Sequence, residues 1–322
     1  MASTAPVELT IDVRTARPLA PTVEVHHVDT VMDLCVAGDA VATIDFAGNW
    51  AVWRCADLQQ VAGGALAGRV GRRVALAPDG ARIAVLTGSA GIDFRWHAAI
   101  IDIVTGVVVP FGSGDFRRLA WTEAGLFAMG PLGYRVYDPA GSLRLDGHHQ
   151  PQPGSAWMAS AVTRDGTRAY AMSHHRLAGF AFADRNELPA PDLTPFERPA
   201  GHAAWAFPDL ALSDDGLLLA LGFLDEMLLW RMPGCELLAR ITPTGVQITH
   251  ARVRFSGDRL ITCFTHVHAD GGQRKTVATF DPAAREVTDV VSTGPQVHGG
   301  KGGADGALLV AHGPVLSRAL LR

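Results

Sequence analysis

One short sequence pattern recurs seven times along this chain of 322 residues. In its clearest copy, residues 211–221 read ALSDDGLLLAL: an alternating segment, an Asp-Gly pair and an apolar segment. Asp215-Gly216 is the signal of a tight turn, because glycine readily adopts the positive φ that such turns between antiparallel strands need. The glycines of the copies are at positions 38, 80, 125, 166, 216, 257 and 306. A period of roughly 40 to 50 residues is typical of propeller blades with four strands each.

The repeat predicts an all-β fold, a seven-bladed β-propeller of four-stranded blades that forms a single domain over residues 1–322. Residues 7–19 have no turn glycine before them, and only two strands follow the last turn glycine. Pairing the N-terminal strand with the last blade would close the ring and remove two open sheet edges. The predicted blades cover approximately residues 31–66, 72–110, 117–145, 156–188, 202–241, 247–291, and 296–321 together with 7–19.

In blade five, Gly201-His202 precedes the first strand, Asp215-Gly216 makes the first turn, Asp225 lies in the next turn, and Trp230-Arg231 follows. With these residues blade five resembles a WD40 repeat, a family that usually has Trp-Asp at the place of Trp230-Arg231. The resemblance implies that His202, Asp225 and Trp230 join a hydrogen-bond network inside the blade. The serine that the family usually has on the second strand is not obvious here.

Blade one matches this pattern in part, with Asp45 and Trp53-Arg54 but without Gly-His. The resemblance to WD40 proteins implies a module that binds other proteins, and this implication rests on the fold alone.

Composition narrows the classes of partner. The net charge is −4 and the isoelectric point is near 6.3, so we predict no nucleic-acid binding. Arginine carries nearly all the positive charge, because Lys275 and Lys301 are the two lysines; we interpret this as a codon bias of bacterial type. We find no signal peptide and no apolar run of roughly 18 residues, which predicts a cytoplasmic protein without a membrane anchor.

The four cysteines lack C-x-x-C spacing and are expected to be reduced.

The thirteen histidines raise the question of a metal site. His266 and His268 are two residues apart, which on a strand would place both rings on one face, and Asp270 follows closely. Two imidazoles and a carboxylate would suit zinc or iron. The surrounding glycines favour a solvated loop instead, so these three residues are weak metal candidates. The chain contains no G-x-S-x-G, H-E-x-x-H or P-loop motif, and we predict no catalytic residues and no cofactor.

The long insertions favour one face of the propeller as the binding surface. Connections from strand two to strand three and connections between blades emerge on the same face, and the insertions at 94–97, 189–199 and 266–274 are of these two kinds. The residues that enter the first strands should ring the channel on this face. The predicted binding residues are Phe94, Arg95, Trp96, His97, Arg72, Arg117, Trp157, Trp205, Phe207, His250 and His298. Trp157 and Trp205 are equally consistent with packing between blades.

Two functions fit these features. The first is a non-enzymatic scaffold that binds a protein or peptide through the face with the long loops, since tryptophan and arginine are frequent at interface hot spots. The alternative is a lyase-like or hydrolase-like propeller, or a small-molecule binder, with its site at the channel mouth. Three or more ionisable groups converging within about 4–6 Å would favour the enzyme, and an apolar patch with dispersed charges would favour the scaffold. The oligomeric state is left open.

Overall fold

The protein is described by a computed structural model. The structure describes residues 5–89, 96–112, 116–148, 156–173, 176–183, 186–196, 208–223, 226–267, 273–293, 297–302 and 307–320. In these ranges the regular structure consists of β-strands and two short 3₁₀ helices, Val13–Thr15 and Thr194–Phe196.

The strands, in chain order, are β1 (Val7–Asp12), β2 (Arg17–Pro18), β3 (Val23–His26), β4 (Val31–Ala37), β5 (Ala40–Asp45), β6 (Asn49–Arg54), β7 (Gln60–Ala65), β8 (Arg69–Leu76), β9 (Arg82–Ser89), β10 (Trp96–Asp102), β11 (Val108–Pro110), β12 (Arg118–Thr122), β13 (Gly125–Gly130), β14 (Gly133–Tyr137), β15 (Leu143–His148), β16 (Ala159–Val162), β17 (Arg168–Met172), β18 (Leu177–Ala181), β19 (Glu187–Leu188), β20 (Asp209–Leu212), β21 (Leu218–Gly222), β22 (Met227–Arg231), β23 (Glu236–Thr244), β24 (Gln247–Ser256), β25 (Arg259–Val267), β26 (Gln273–Asp281), β27 (Glu286–Thr293), β28 (Val297–Gly302), β29 (Ala307–His312) and β30 (Val315–Leu320).

The chain divides into two units by its contacts. The first unit comprises residues 1–19 and 151–295, and holds three sheets: β16–β19, β20–β23 joined by β1, and β24–β27 joined by β2. The second comprises residues 20–150 and 296–321, and holds four sheets: β4–β7, β8–β11, β12–β15, and β28–β30 joined by β3. These seven sheets confirm the predicted seven-bladed β-propeller with four-stranded blades. We number the blades from the one that begins with β4 to the one that begins with β28.

The N-terminal segment supplies the outer strand of blade seven, as predicted, but the assignment of residues 7–19 to that blade is wrong. The strand that pairs with β30 is β3, with Val23 opposite Arg318 and His26 opposite Val315. Strand β1 instead runs parallel to β23 at the outer edge of blade five, and β2 runs parallel to β27 at the outer edge of blade six. Parallel additions need no hairpin turn, so the sequence carries no turn signal for them.

An ion pair fixes the β2 segment on blade six. The guanidinium of Arg17 lies 2.6 Å from the carboxylate of Asp289, whose side chain is only 8% exposed. The backbone N–H of Leu19 donates to the carbonyl of Ser292 at 2.8 Å and extends this pairing. The N-terminal segment therefore covers strand edges that would otherwise be open to unwanted pairing.

Side-chain hydrogen bonds define the turn between the first two strands of blade five. The hydroxyl of Ser213 donates to Asp215 at 2.7 Å and accepts from the N–H of Leu218 at 2.8 Å. Asp215 also accepts from the N–H of Leu217 at 2.9 Å. Gly216 has φ +70°, in the left-handed region that favours glycine. Blade four repeats these contacts with Thr163 and Asp165.

Alanine on the second strands lets neighbouring sheets pack closely within each unit. Ala84, Ala128 and Ala220 are fully buried on the second strands of blades two, three and five. Between blades two and three, the rings of Phe111 and Tyr137 pack edge to face with centroids 4.9 Å apart. Large side chains therefore interdigitate with alanines, as close packing of sheets requires.

We expect Gly216→Ala to destabilise the fold more than Gly257→Ala. Both glycines have positive φ, and forcing an L-residue there costs roughly 1–2 kcal/mol. A Cβ at Gly216 would lie 2.8 Å from Cγ2 of Thr163 and 2.7 Å from a guanidinium nitrogen of Arg168, whereas one at Gly257 would meet no atom within 4 Å. Urea unfolding of both variants measures the difference. Equal losses would show that the contact with Thr163 relaxes without cost.

Candidate functional site

One end of blade two brings together three of the predicted binding residues, Arg72, Trp96 and His97. In the register of β8, β9 and β10, Gly88 on the middle strand is paired with Trp96 on one side and with Val70 on the other. Thr87 is likewise paired with His97 and with Gly71. Arg72 directly follows Gly71, so all three predicted residues lie at the same end of the sheet.

Arg72 occupies a β-bulge. Gly71 pairs with Thr87 and Arg73 pairs with Leu86, which leaves Arg72 as the extra residue on its strand. Bulges redirect side chains and are frequent beside functional sites. The guanidinium of Arg72 lies 5.9 Å from the centre of the Phe46 ring, which is within the range of a cation–π contact. Phe46 is 44% exposed, so it offers apolar surface at this end of the sheet.

Arg117 takes the corresponding place at the start of blade three. Its backbone N–H donates to the carbonyl of Met129 at 2.7 Å, and the next residue, Arg118, pairs with Met129 in the ladder. Arg117 therefore lies at the end of β12 that is remote from the turn at Gly125. In the same way, Arg72 lies at the end of β8 that is remote from the turn at Gly80. Strands β8 and β12 are in contact, and Arg117 is exposed.

The two described tryptophans of the predicted surface have different environments. Trp96 is half-buried and packs against the apolar cluster shared by blades two and three. Trp157 is only 2% exposed and its indole packs edge to face on Phe180, with centroids 5.7 Å apart. Trp96 therefore keeps surface for a partner, whereas Trp157 belongs to the core.

Several predicted residues lie outside the described residues. These are Phe94, Arg95, Trp205 and Phe207, together with His268 and Asp270 of the weak metal candidate and His202 and Asp225 of the WD40-like blade. For His250 in β24 and His298 in β28 the structure describes the backbone alone. His298 is the extra residue of a β-bulge, like Arg72.

His266, the remaining metal candidate, is a buried side chain inside blade six. It is 3% exposed, and its Nε2 lies 3.1 Å from the hydroxyl of Thr276 on the neighbouring strand. Within the described part of the chain, no group of three His, Cys, Asp or Glu side chains is arranged to hold a metal ion.

The fold reveals a hydrogen-bond network in blade one that sequence reasoning found only in part. The indole N–H of Trp53 donates to the hydroxyl of Thr43 at 2.8 Å, and the same hydroxyl lies 2.8 Å from Nε2 of His27. Asp45, the last residue of β5, accepts from the N–H and the side-chain amide of Asn49, each at 2.8 Å. The sequence search missed His27, because this histidine follows another histidine rather than a glycine.

A scan against protein-family models finds no match, and a search of curated proteins finds no significant match. Function is therefore argued from the site itself. No helix in the described ranges has the length and hydropathy needed to cross a membrane.

We expect Thr43→Val to destabilise the protein by about 1–3 kcal/mol, because it leaves the buried indole N–H of Trp53 without an acceptor. Thr43→Ser keeps the hydroxyl and is the matched control. Chemical unfolding followed by tryptophan fluorescence measures both variants. If Thr43→Ser costs as much as Thr43→Val, packing of the methyl group rather than the hydrogen bonds would be responsible.

His27 should make stability depend on pH. Burial lowers the pKa of His27 below its ordinary 6.5, and the charge of Asp45 acts in the opposite direction. Below pH 6.5 the unfolded chain then binds more protons than the folded one. The contribution of His27 to the free energy of unfolding is therefore fully present above this pH, and it decreases as the pH falls towards the folded-state pKa.

Urea unfolding between about pH 7.5 and pH 5.5 tests this. We expect His27→Gln to lose less stability at low pH than the unchanged protein. The control variant His26→Gln changes an exposed neighbour and should keep the pH dependence of the unchanged protein. An unchanged slope in His27→Gln would assign the pH dependence to other groups.

Proposed function

We propose that this protein is a WD40-like, non-enzymatic binding module that engages a protein or peptide through the shared end of blades two and three. The observation that carries the proposal is the clustering at this end of Arg72, Trp96, His97 and Arg117 with the exposed ring of Phe46. A few residues provide most of the binding energy at protein interfaces, and tryptophan, tyrosine and arginine are enriched among them. We expect the protein to act in the cytoplasm.

The WD40-like part of the proposal is supported by blade one. Thr43 on β5 is linked by hydrogen bonds to Trp53 on β6 and to His27, which directly follows β3, and Asp45 ends β5 beside them. The histidine, the aspartate and the tryptophan are the residue types that the resemblance implies, and Thr43 provides a hydroxyl on the second strand of blade one. The rigid network also supports the site, since Phe46 directly follows Asp45.

The test starts from the untagged protein, isolated from its own cells and analysed by native mass spectrometry. We expect a stoichiometric protein partner that is lost from the variants Trp96→Ala and Phe46→Ala. Because Phe46 is half exposed, its replacement tests the surface without removing a core side chain. Thermal unfolding confirms that each variant is folded.

Val104→Ser is the matched control. Val104 is 88% exposed and follows the end of β10, at the opposite end of the strand that begins with Trp96. Loss of the partner from Val104→Ser as well would place the interface elsewhere. A bound small molecule or metal without a protein partner would favour the lyase-like or hydrolase-like alternative.

A further inference from the structure

Five arginines lie on the first strands of blades two and three or directly before them, at the end of the sheets that forms the candidate site. We call this set the arginine row: Arg69, Arg72, Arg73, Arg117 and Arg118. It contains two Arg-Arg pairs at equivalent positions. The second arginine of each pair faces a residue on the second strand of its blade, Leu86 in blade two and Met129 in blade three.

Three members of the arginine row differ from other arginines of the same unit in their surroundings. Among the described residues, Arg69, Arg73 and Arg117 have no carboxylate within 4.0 Å. Asp33 lies beside β8, and its carboxylate accepts a hydrogen bond from the backbone N–H of Val74 at 3.1 Å. By contrast, four arginines elsewhere in blades one to three form ion pairs within the fold, namely Arg54, Arg82, Arg135 and Arg144.

Arg73 shows a donor that the described fold leaves unused. One terminal nitrogen of its guanidinium donates to the carbonyl of Arg72 at 2.9 Å. Its Nε is buried and has no hydrogen-bond partner in the described part of the chain. A buried donor without an acceptor destabilises the fold, and the loss is greater when the donor is charged. An incoming anion that accepts from this guanidinium would recover part of that cost.

We propose that the arginine row binds an extended acidic segment of a partner protein, through the carboxylates of its Asp and Glu side chains. This inference rests on the proposed function and names the chemistry of the partner. The planar guanidinium group pairs with carboxylates through two parallel hydrogen bonds, which gives arginine clusters their selectivity. The exposed ring of Phe46 adds an apolar contact beside Arg72.

Charge favours a peptide over a nucleic acid as the occupant. The chain carries a net charge of −4, so the phosphate backbone of a long nucleic acid would be repelled by most of the surface. The arginine row is confined to two neighbouring first strands, which suits a short acidic segment.

The test uses a fluorescein-labelled hexaglutamate peptide as the probe, with fluorescence anisotropy as the readout. We expect binding that weakens with added salt, and no binding of a hexalysine peptide. The double variant Arg73→Gln/Arg117→Gln should weaken hexaglutamate binding by at least about tenfold. The double variant Arg54→Gln/Arg144→Gln removes the same charge at ion-paired positions and should weaken it by less than about threefold.

Three results would overturn the inference: no binding of hexaglutamate, an equal loss in both double variants, or equally tight binding of a single-stranded oligonucleotide. The failure of the inference is distinguishable from that of the proposed function. A native partner that is lost from Trp96→Ala but stays bound to Arg73→Gln/Arg117→Gln would refute the inference of an acidic segment. The same result would still support the proposed function as a binding module. Absence of any native partner would instead count against the proposed function itself.

Discussion

The tight turn between the first two strands, described in blades one to six, is the constraint on which the rest of this structure depends. In blade five, Ser213 and Asp215 hold the turn by hydrogen bonds, and Gly216 supplies the positive φ. Such a turn fixes the register of the strands that it joins, and a slip by one residue would move every side chain to the opposite face. The positions of Arg73 opposite Leu86 and Arg118 opposite Met129 follow from this register.

A second constraint is that the outer edge of each sheet would expose unpaired backbone groups. The N-terminal segment covers three of these edges. Strand β3 completes blade seven by antiparallel pairing, while β1 and β2 add parallel strands to blades five and six. The buried carboxylate of Asp289, paired with Arg17, fixes one of these additions. A short N-terminal stretch therefore satisfies backbone groups on three separate sheets, which an edge strand would otherwise expose.

The candidate site combines a rigid support with positive charge. The bonds among His27, Thr43 and Trp53 hold β5 and β6 together, and the turn between these strands carries Phe46. On the neighbouring blade, the bulge at Arg72 directs a guanidinium towards that ring. Side chains held in this way lose little conformational entropy when a partner binds, so more of the contact energy contributes to affinity.

The sequence by itself determined the fold class, because the recurring turn glycines and the alternating segments around them encode local geometry. It also indicated surface candidates: Arg72 and Arg117 from their distance to the turn glycines, and Trp96 and His97 from the insertion at 94–97. It could not decide that β1 and β2 run parallel to distant strands, because such pairing leaves no local signal. Nor could it decide whether Trp157 lies on the surface or in the core, or find His27 as the partner of Thr43, because burial and hydrogen bonding depend on which residues the tertiary structure brings together.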